Sequence, residues 1–131
     1  MVVLDSWALL AYLKDEPPAA RIGDAWIEGG AAICSINLGE VLYMRTRETG
    51  EKAAVADIDR IRAQSKVIEA EWGLIRAAAR IKVGGGLSYA DAFCVATALQ
   101  LEERLWTGDP EIVDLAAGLE CEVVDLRTAS D

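Results

Sequence analysis

Four acidic residues stand inside otherwise apolar, helix-opening segments: Asp5 in MVVLDSWALLAYL, Glu40 in AAICSINLGEVLYM, Asp91 in LSYADAFCVATAL and Asp109 in RLWTGDPEIV. Apart from Arg104 and Glu111 in the last stretch, these segments hold no other charge. A carboxylate leaves water at high cost unless it is paired or neutralised. Several carboxylates meeting at one place therefore call for a cation. Hard divalent ions such as Mg²⁺ and Mn²⁺ prefer oxygen ligands and retain some of their waters. One or two of them can activate a water and stabilise the leaving oxygen in phosphodiester cleavage. Without the cation the acids repel one another, and at least one should titrate above its ordinary range. The hydroxyls of Ser6 and Thr107 flank the acids and could orient a ligand or a metal-bound water.

Each acid also has a local structural reading. Asp5 can cap a helix that begins near Ser6. Asn37-Leu-Gly-Glu40 and Ser88-Tyr-Ala-Asp91 both resemble capping boxes with an acid at the third helical position. Asp109 followed by Pro110 fits an N-cap with proline at the first helical position. Ser, Thr or Asn would cap equally well without a buried charge, so capping alone does not account for the set. The two readings are compatible, because helix amides can hold a carboxylate and leave other lone pairs free for a metal.

Composition narrows the chemistry. The chain has no histidine, which removes Ser–His–Asp and Cys–His nucleophiles and the commonest zinc ligands. Its three cysteines, Cys34, Cys94 and Cys121, are an odd number in apolar surroundings. They read as free thiols in a reducing compartment, the cytoplasm. The net charge of −9 argues against non-specific nucleic-acid binding through a broad basic face. It leaves room for a nuclease, whose metal-binding acids add negative charge that bound cations neutralise. No apolar run approaches a membrane span, and the first residues lack a basic region expected of a signal peptide.

The elements that must position the acids follow from the pattern. At 131 residues the chain is expected to be one domain, 1–131, with a core that needs no disulfide. Strands are expected at 2–4, 31–34, 67–68, 104–106 and 122–124. Helices are expected at 6–14, 19–28, 36–49, 51–64, 69–83 and 88–101, with a short one from Pro110. Ile22, Trp26 and Ile27 should face inward on the second helix, and Val55, Ile58 and Ile61 on the fourth. Gly84-Gly85-Gly86 is the one flexible break. Short strands alternating with helices favour a parallel sheet of four to five strands covered on both faces, an α/β fold. Ligands in such sheets bind beyond the carboxyl ends of the strands. Asp5 and Asp109 follow strands, and Glu40 and Asp91 open helices on the same side. The topology thus brings all four acids to one edge.

The segments VVLDSWALLAYLKDEP, INLGEVLY, LSYADAFCVATAL and LWTGDPE, in this order, resemble a PIN-domain protein, specifically a VapC-type toxin ribonuclease of a toxin–antitoxin pair. The resemblance spans nearly the whole chain. It implies a three-layer α/β/α sandwich. It also implies that Asp5, Glu40, Asp91 and Asp109 form a catalytic and metal-binding centre dependent on Mg²⁺ or Mn²⁺, acting on RNA. The implied partners are a VapB-type antitoxin and a second copy of the chain in a homodimer. The first helices and the 36–44 stretch offer apolar surface for an antitoxin peptide. Arg45, Arg80 and Lys82 are candidates for RNA phosphates, although a solvated helix face accounts for each of them singly.

A non-catalytic PIN-like module or a receiver-like signalling domain is the alternative. Receivers need an acid pair after the first strand, an acceptor aspartate after the third and a lysine near the last. Here Asp5 stands alone and no lysine follows Lys82. A haloacid-type hydrolase would want a second aspartate where Trp7 stands.

Overall fold

The computed structural model describes residues 1–128. Its elements run β1 (Val2–Leu4), α1 (Ser6–Leu13), α2 (Ala19–Glu28), β2 (Ala31–Cys34), α3 (Ser35–Thr49), α4 (Glu51–Gln64), β3 (Lys66–Ile68), α5 (Trp72–Val83), α6 (Tyr89–Leu101), β4 (Arg104–Thr107), α7 (Pro110–Leu115), a single 3-10 turn (Ala116–Gly118) and β5 (Val123–Asp125). The strands form one sheet in the order β3-β2-β1-β4-β5, and every pairing is parallel.

Strand periodicity decides which helices lie on which face. Successive residues point to opposite sides of a sheet. Leu4 and Ile33 pack with Leu9, Ile22, Leu38, Val41, Ile58 and Ile61, so α1 to α4 cover one face. Val3, Ala32 and Leu105 pack with Val95, Ala98 and Ile112, while Cys34 packs with Leu74, Ala78 and Phe93. Helices α5 to α7 therefore cover the other face, which gives three layers. Leu4, Leu9, Ile33 and Leu105 are almost wholly removed from water. Each such side chain stabilises the fold by about 1.5–3 kcal/mol.

The chain builds β1, β2 and β3 outward in one direction, then crosses back to place β4 on the other side of β1. That reversal leaves a crevice beyond the carboxyl ends of β1 and β4, where sheets of this kind bind ligands. A receiver would have the order 2-1-3-4-5. The observed order excludes that alternative.

Several local expectations need correction. Ile27 is 86% exposed, because α2 packs through Ala19, Ile22 and Trp26 and residue 27 lies about 100° round the helix from 26. Val55 is likewise exposed, and Ala54 takes the inward position on α4. Helix α5 begins at Trp72 rather than Glu69. The Ala70 amide donates to Ser35 Oγ and the Glu71 amide to the Glu69 carbonyl, so these residues turn before the helix starts. Asn37 is not a cap. Helix α3 starts at Ser35 with Cys34 as N-cap, which puts Asn37 inside the first turn, 1% exposed, and Glu40 in the second.

Candidate active site

Three of the four acids are placed by helix starts. Asp5 caps α1, its Oδ1 accepting the Ala8 amide at 2.8 Å. Asp91 is the third residue of α6, whose cap Ser88 accepts the Asp91 amide at 3.1 Å. Asp109 caps α7 ahead of Pro110, and its Oδ1 accepts the Glu111 amide at 2.9 Å. The caps use one oxygen of Asp5 and of Asp109 and none of Asp91.

Sheet register then joins β1 to β4. Leu4 lies beside Trp106, so one step further along Asp5 lies beside Thr107. The Thr107 hydroxyl donates to Asp5 Oδ2 and accepts the Asp109 amide at 3.0 Å. One buried threonine thus ties the acid after β1 to the acid after β4. Between Thr107 and Asp109 only glycine fits: a Cβ on Gly108 would come within 2.3 Å of the Trp7 ring. The indole lies directly on the backbone of this turn.

The acids form one electrostatic unit. Burial raises the Asp5 carboxyl to about 7, and the charges of Asp91 and Asp109 add to the rise. The Thr107 and Ala8 hydrogen bonds oppose it. Burial also raises Asp91 to about 6, helped by the charges of Asp109, Glu40 and Glu111 and opposed by Ser88. Asp5 and Asp91 are buried, whereas Glu40 and Asp109 are half-buried. One carboxylate oxygen each from Asp91, Asp109 and Glu111 lies within 4.8 Å of the other two. Glu111 was not foreseen as part of this group. Its signal was the D-P-E run, which sets a second carboxylate in the first turn of α7.

This donor set fits a hard divalent cation. All its ligands are oxygens, and no lysine or arginine forms an ion pair with any of these acids among the described residues. Cys94 adds no soft ligand. Burial pushes its thiol well up, with the Asp5 and Asp91 charges contributing, and the thiol donates to the Asp91 carbonyl at 3.0 Å.

The remaining candidates lie apart from this core. Ser6 is buried beside Asp5 but turns its hydroxyl to the Asn37 carbonyl at 3.3 Å. Arg45 is engaged with Glu48 at 3.1 Å and Asp57 at 3.5 Å, inside the α3–α4 hairpin. Lys82 is exposed and donates to the Leu87 carbonyl at 2.8 Å, on the loop that enters α6. Arg80 is exposed nearby on α5. Most aromatic rings are spent on packing: Tyr12 and Trp26 lie 4.9 Å apart, and Arg21 covers Trp106 at 5.0 Å.

A family model of the PIN domain matches residues 2–118. The chain belongs to the PIN-domain family. This PIN domain is similar in fold to a chain of a toxin–antitoxin complex from Klebsiella pneumoniae, with 20% identity, a TM-score of 0.75, and coverage of 96% of this chain and 98% of that one. It is also similar to VapC20 of Mycobacterium tuberculosis, described as a toxin cleaving the sarcin–ricin loop, with 20% identity, a TM-score of 0.71, and 91% and 96% coverage. A third similar chain comes from DNA-bound VapBC of Salmonella typhimurium, with 14% identity, a TM-score of 0.75, and 96% and 99% coverage. No curated protein sequence matches this PIN domain.

Proposed function

We propose that this PIN domain is a VapC-type toxin, an endoribonuclease that hydrolyses RNA phosphodiester bonds with Mg²⁺ or Mn²⁺. The observation that carries the reading is the acid cluster at the crevice between β1 and β4, with which no lysine or arginine forms an ion pair among the described residues. Membership of the family and the toxins among the similar folds support it. Asp5, Asp91, Asp109 and Glu111 would hold the ion, with Glu40 at the rim. A bound divalent ion supplies Lewis acidity, lowering the pKa of a water and neutralising charge on the phosphate.

The chain's own part is preorganisation. Capping amides and the Thr107 hydroxyl fix Asp5 and Asp109 before substrate arrives, so little ordering remains for the reaction itself. Among the described residues the Asp91 carboxylate takes no backbone amide as a capping partner, only the Ser88 side chain. RNA phosphates would meet Arg80 and Lys82, the two exposed basic candidates. Arg45 is better read as a structural ion-pair centre.

The same reading covers the partners. An antitoxin of VapB type would silence the toxin, and an arginine from it entering the acid cluster would replace the metal's charge. A homodimer and a cytoplasmic setting complete the proposal, the latter in keeping with three free cysteines. Purified protein should cleave RNA with Mg²⁺ or Mn²⁺ and stop in EDTA. Cleavage undiminished in EDTA, or unchanged in Asp91→Asn, would refute the assignment.

A further inference from the structure

Asn37 is a buried polar side chain that the acid cluster does not explain. It is 1% exposed on α3, three residues before Glu40. Its amide nitrogen donates to the Ala90 carbonyl at 3.0 Å, next to Asp91 on α6. Its backbone carbonyl accepts the hydroxyl of Ser6, next to Asp5 on α1, at 3.3 Å. A single residue therefore bonds to the neighbours of two of the acids and sits one turn from a third.

Asn37 is a poor choice for stability alone. Its Oδ1 is buried with no partner among the described residues, and an unpaired buried amide oxygen is costly. Asparagine is also unfavourable within a helix. Leucine is of similar size, would avoid both penalties, and would suit the apolar neighbours Leu38 and Val41. What leucine cannot do is hold the Ala90 carbonyl.

We infer that Asn37 is a positioning residue that sets the spacing of α3 from α6, and with it the spacing of Glu40 from Asp91. The strut acts where no backbone pairing can. Helices α3 and α6 lie on opposite faces of the sheet and come together where Asn37 meets Ala90. Losing the bond lets the two helix starts drift, which loosens the carboxylates without unfolding the core. The inference rests on the metal-site reading above.

The test is Asn37→Leu, with Mn²⁺ affinity measured by calorimetry and thermal unfolding followed in EDTA. The expected result is a metal-free melting temperature equal to or above wild type, with Mn²⁺ binding weakened about tenfold or more. Asn37→Ala, which cannot overpack, carries the same test if the leucine variant fails to fold. Mn²⁺ affinity within about twofold of wild type in a folded variant would overturn the inference. Failure of both variants to fold would also overturn it, by making Asn37 a residue of the fold. Wild-type protein that binds no Mn²⁺ would instead refute the metal site itself, so the two failures are distinguishable.

Discussion

The α3–α4 hairpin and the carboxyl edge of the sheet both gather acids, and they treat them differently. In the hairpin, Arg45 reaches Glu48 and Asp57, Arg60 reaches Asp57, and Lys14 lies 3.8 Å from Glu48. Glu48 and Asp57 thus each have basic partners. At the sheet edge, Asp5 and Asp91 are more deeply buried, at 2% and 9% exposure, yet no basic side chain pairs with them among the described residues. Arg127, which approaches Asp109 from the end of β5, is held by Asp125 at 3.1 Å. A chain able to neutralise acids on one helix pair leaves its most costly carboxylates uncompensated at the crevice. In the proposed function a divalent ion supplies the missing charge.

The sharpest way to break this contrast is Asp91→Asn. RNA cleavage should fall about 100-fold or more, while metal-free stability should rise because a buried charge is gone. A variant that lost both activity and stability would make Asp91 a structural residue like those of the hairpin.

Acidity separates the two regions next. The folded-state values of Asp5, about 7, and Asp91, about 6, lie above the ordinary value of 3.8. The folded protein therefore holds protons that the unfolded chain has already released. Metal-free stability is greatest at low pH within this window and falls as pH rises through 6 and 7, the sign set by linkage. Asp125, held low by Arg127, contributes in the opposite sense only below the ordinary carboxylate range. Urea midpoints in EDTA at about pH 5 and pH 8 should show the decline, and saturating Mn²⁺ should reverse it. A flat profile in EDTA would mean that the edge acids are as well compensated as the hairpin's.

Arg45→Met should do the converse. It should cost about 1–2 kcal/mol of stability by stranding Asp57 and Glu48, and leave Mn²⁺ affinity unchanged. Reduced cleavage at full metal occupancy would return Arg45 to the RNA-binding set. The smallest effect belongs to Glu111→Gln. Because Glu111 is exposed, Mn²⁺ binding should weaken only several-fold, measured by the same calorimetry. No change would place Glu111 outside the metal's reach.

What was legible in the sequence follows from how local each signal is. Asp5, Ser88 and Asp109-Pro110 announce helix starts by short-range hydrogen bonding, and alternating strands and helices fix which edge those starts share. Hence spacing alone points Asp5, Asp91 and Asp109 toward one edge, where their charges act on one another. Glu111 was harder, because a glutamate in a first helical turn is ordinary and only the proximity of Asp91, on another element, makes it a candidate ligand. Asn37 looked like a cap because caps and buried struts share the same residue types, and only the α3–α6 contact tells them apart. Arg45 looked free because its partner Asp57 lies across a helical hairpin. Ile27 misled because apolar character does not carry the phase of a helix.

The most direct test of the central claim is to titrate purified wild-type protein with Mn²⁺ at about pH 7.5, following thermal unfolding alongside an Asp5→Asn, Asp91→Asn double variant. The melting temperature should climb with Mn²⁺ concentration in wild type and stay fixed in the double variant. A wild-type melting temperature indifferent to Mn²⁺, or an equal climb in both proteins, would contradict that claim.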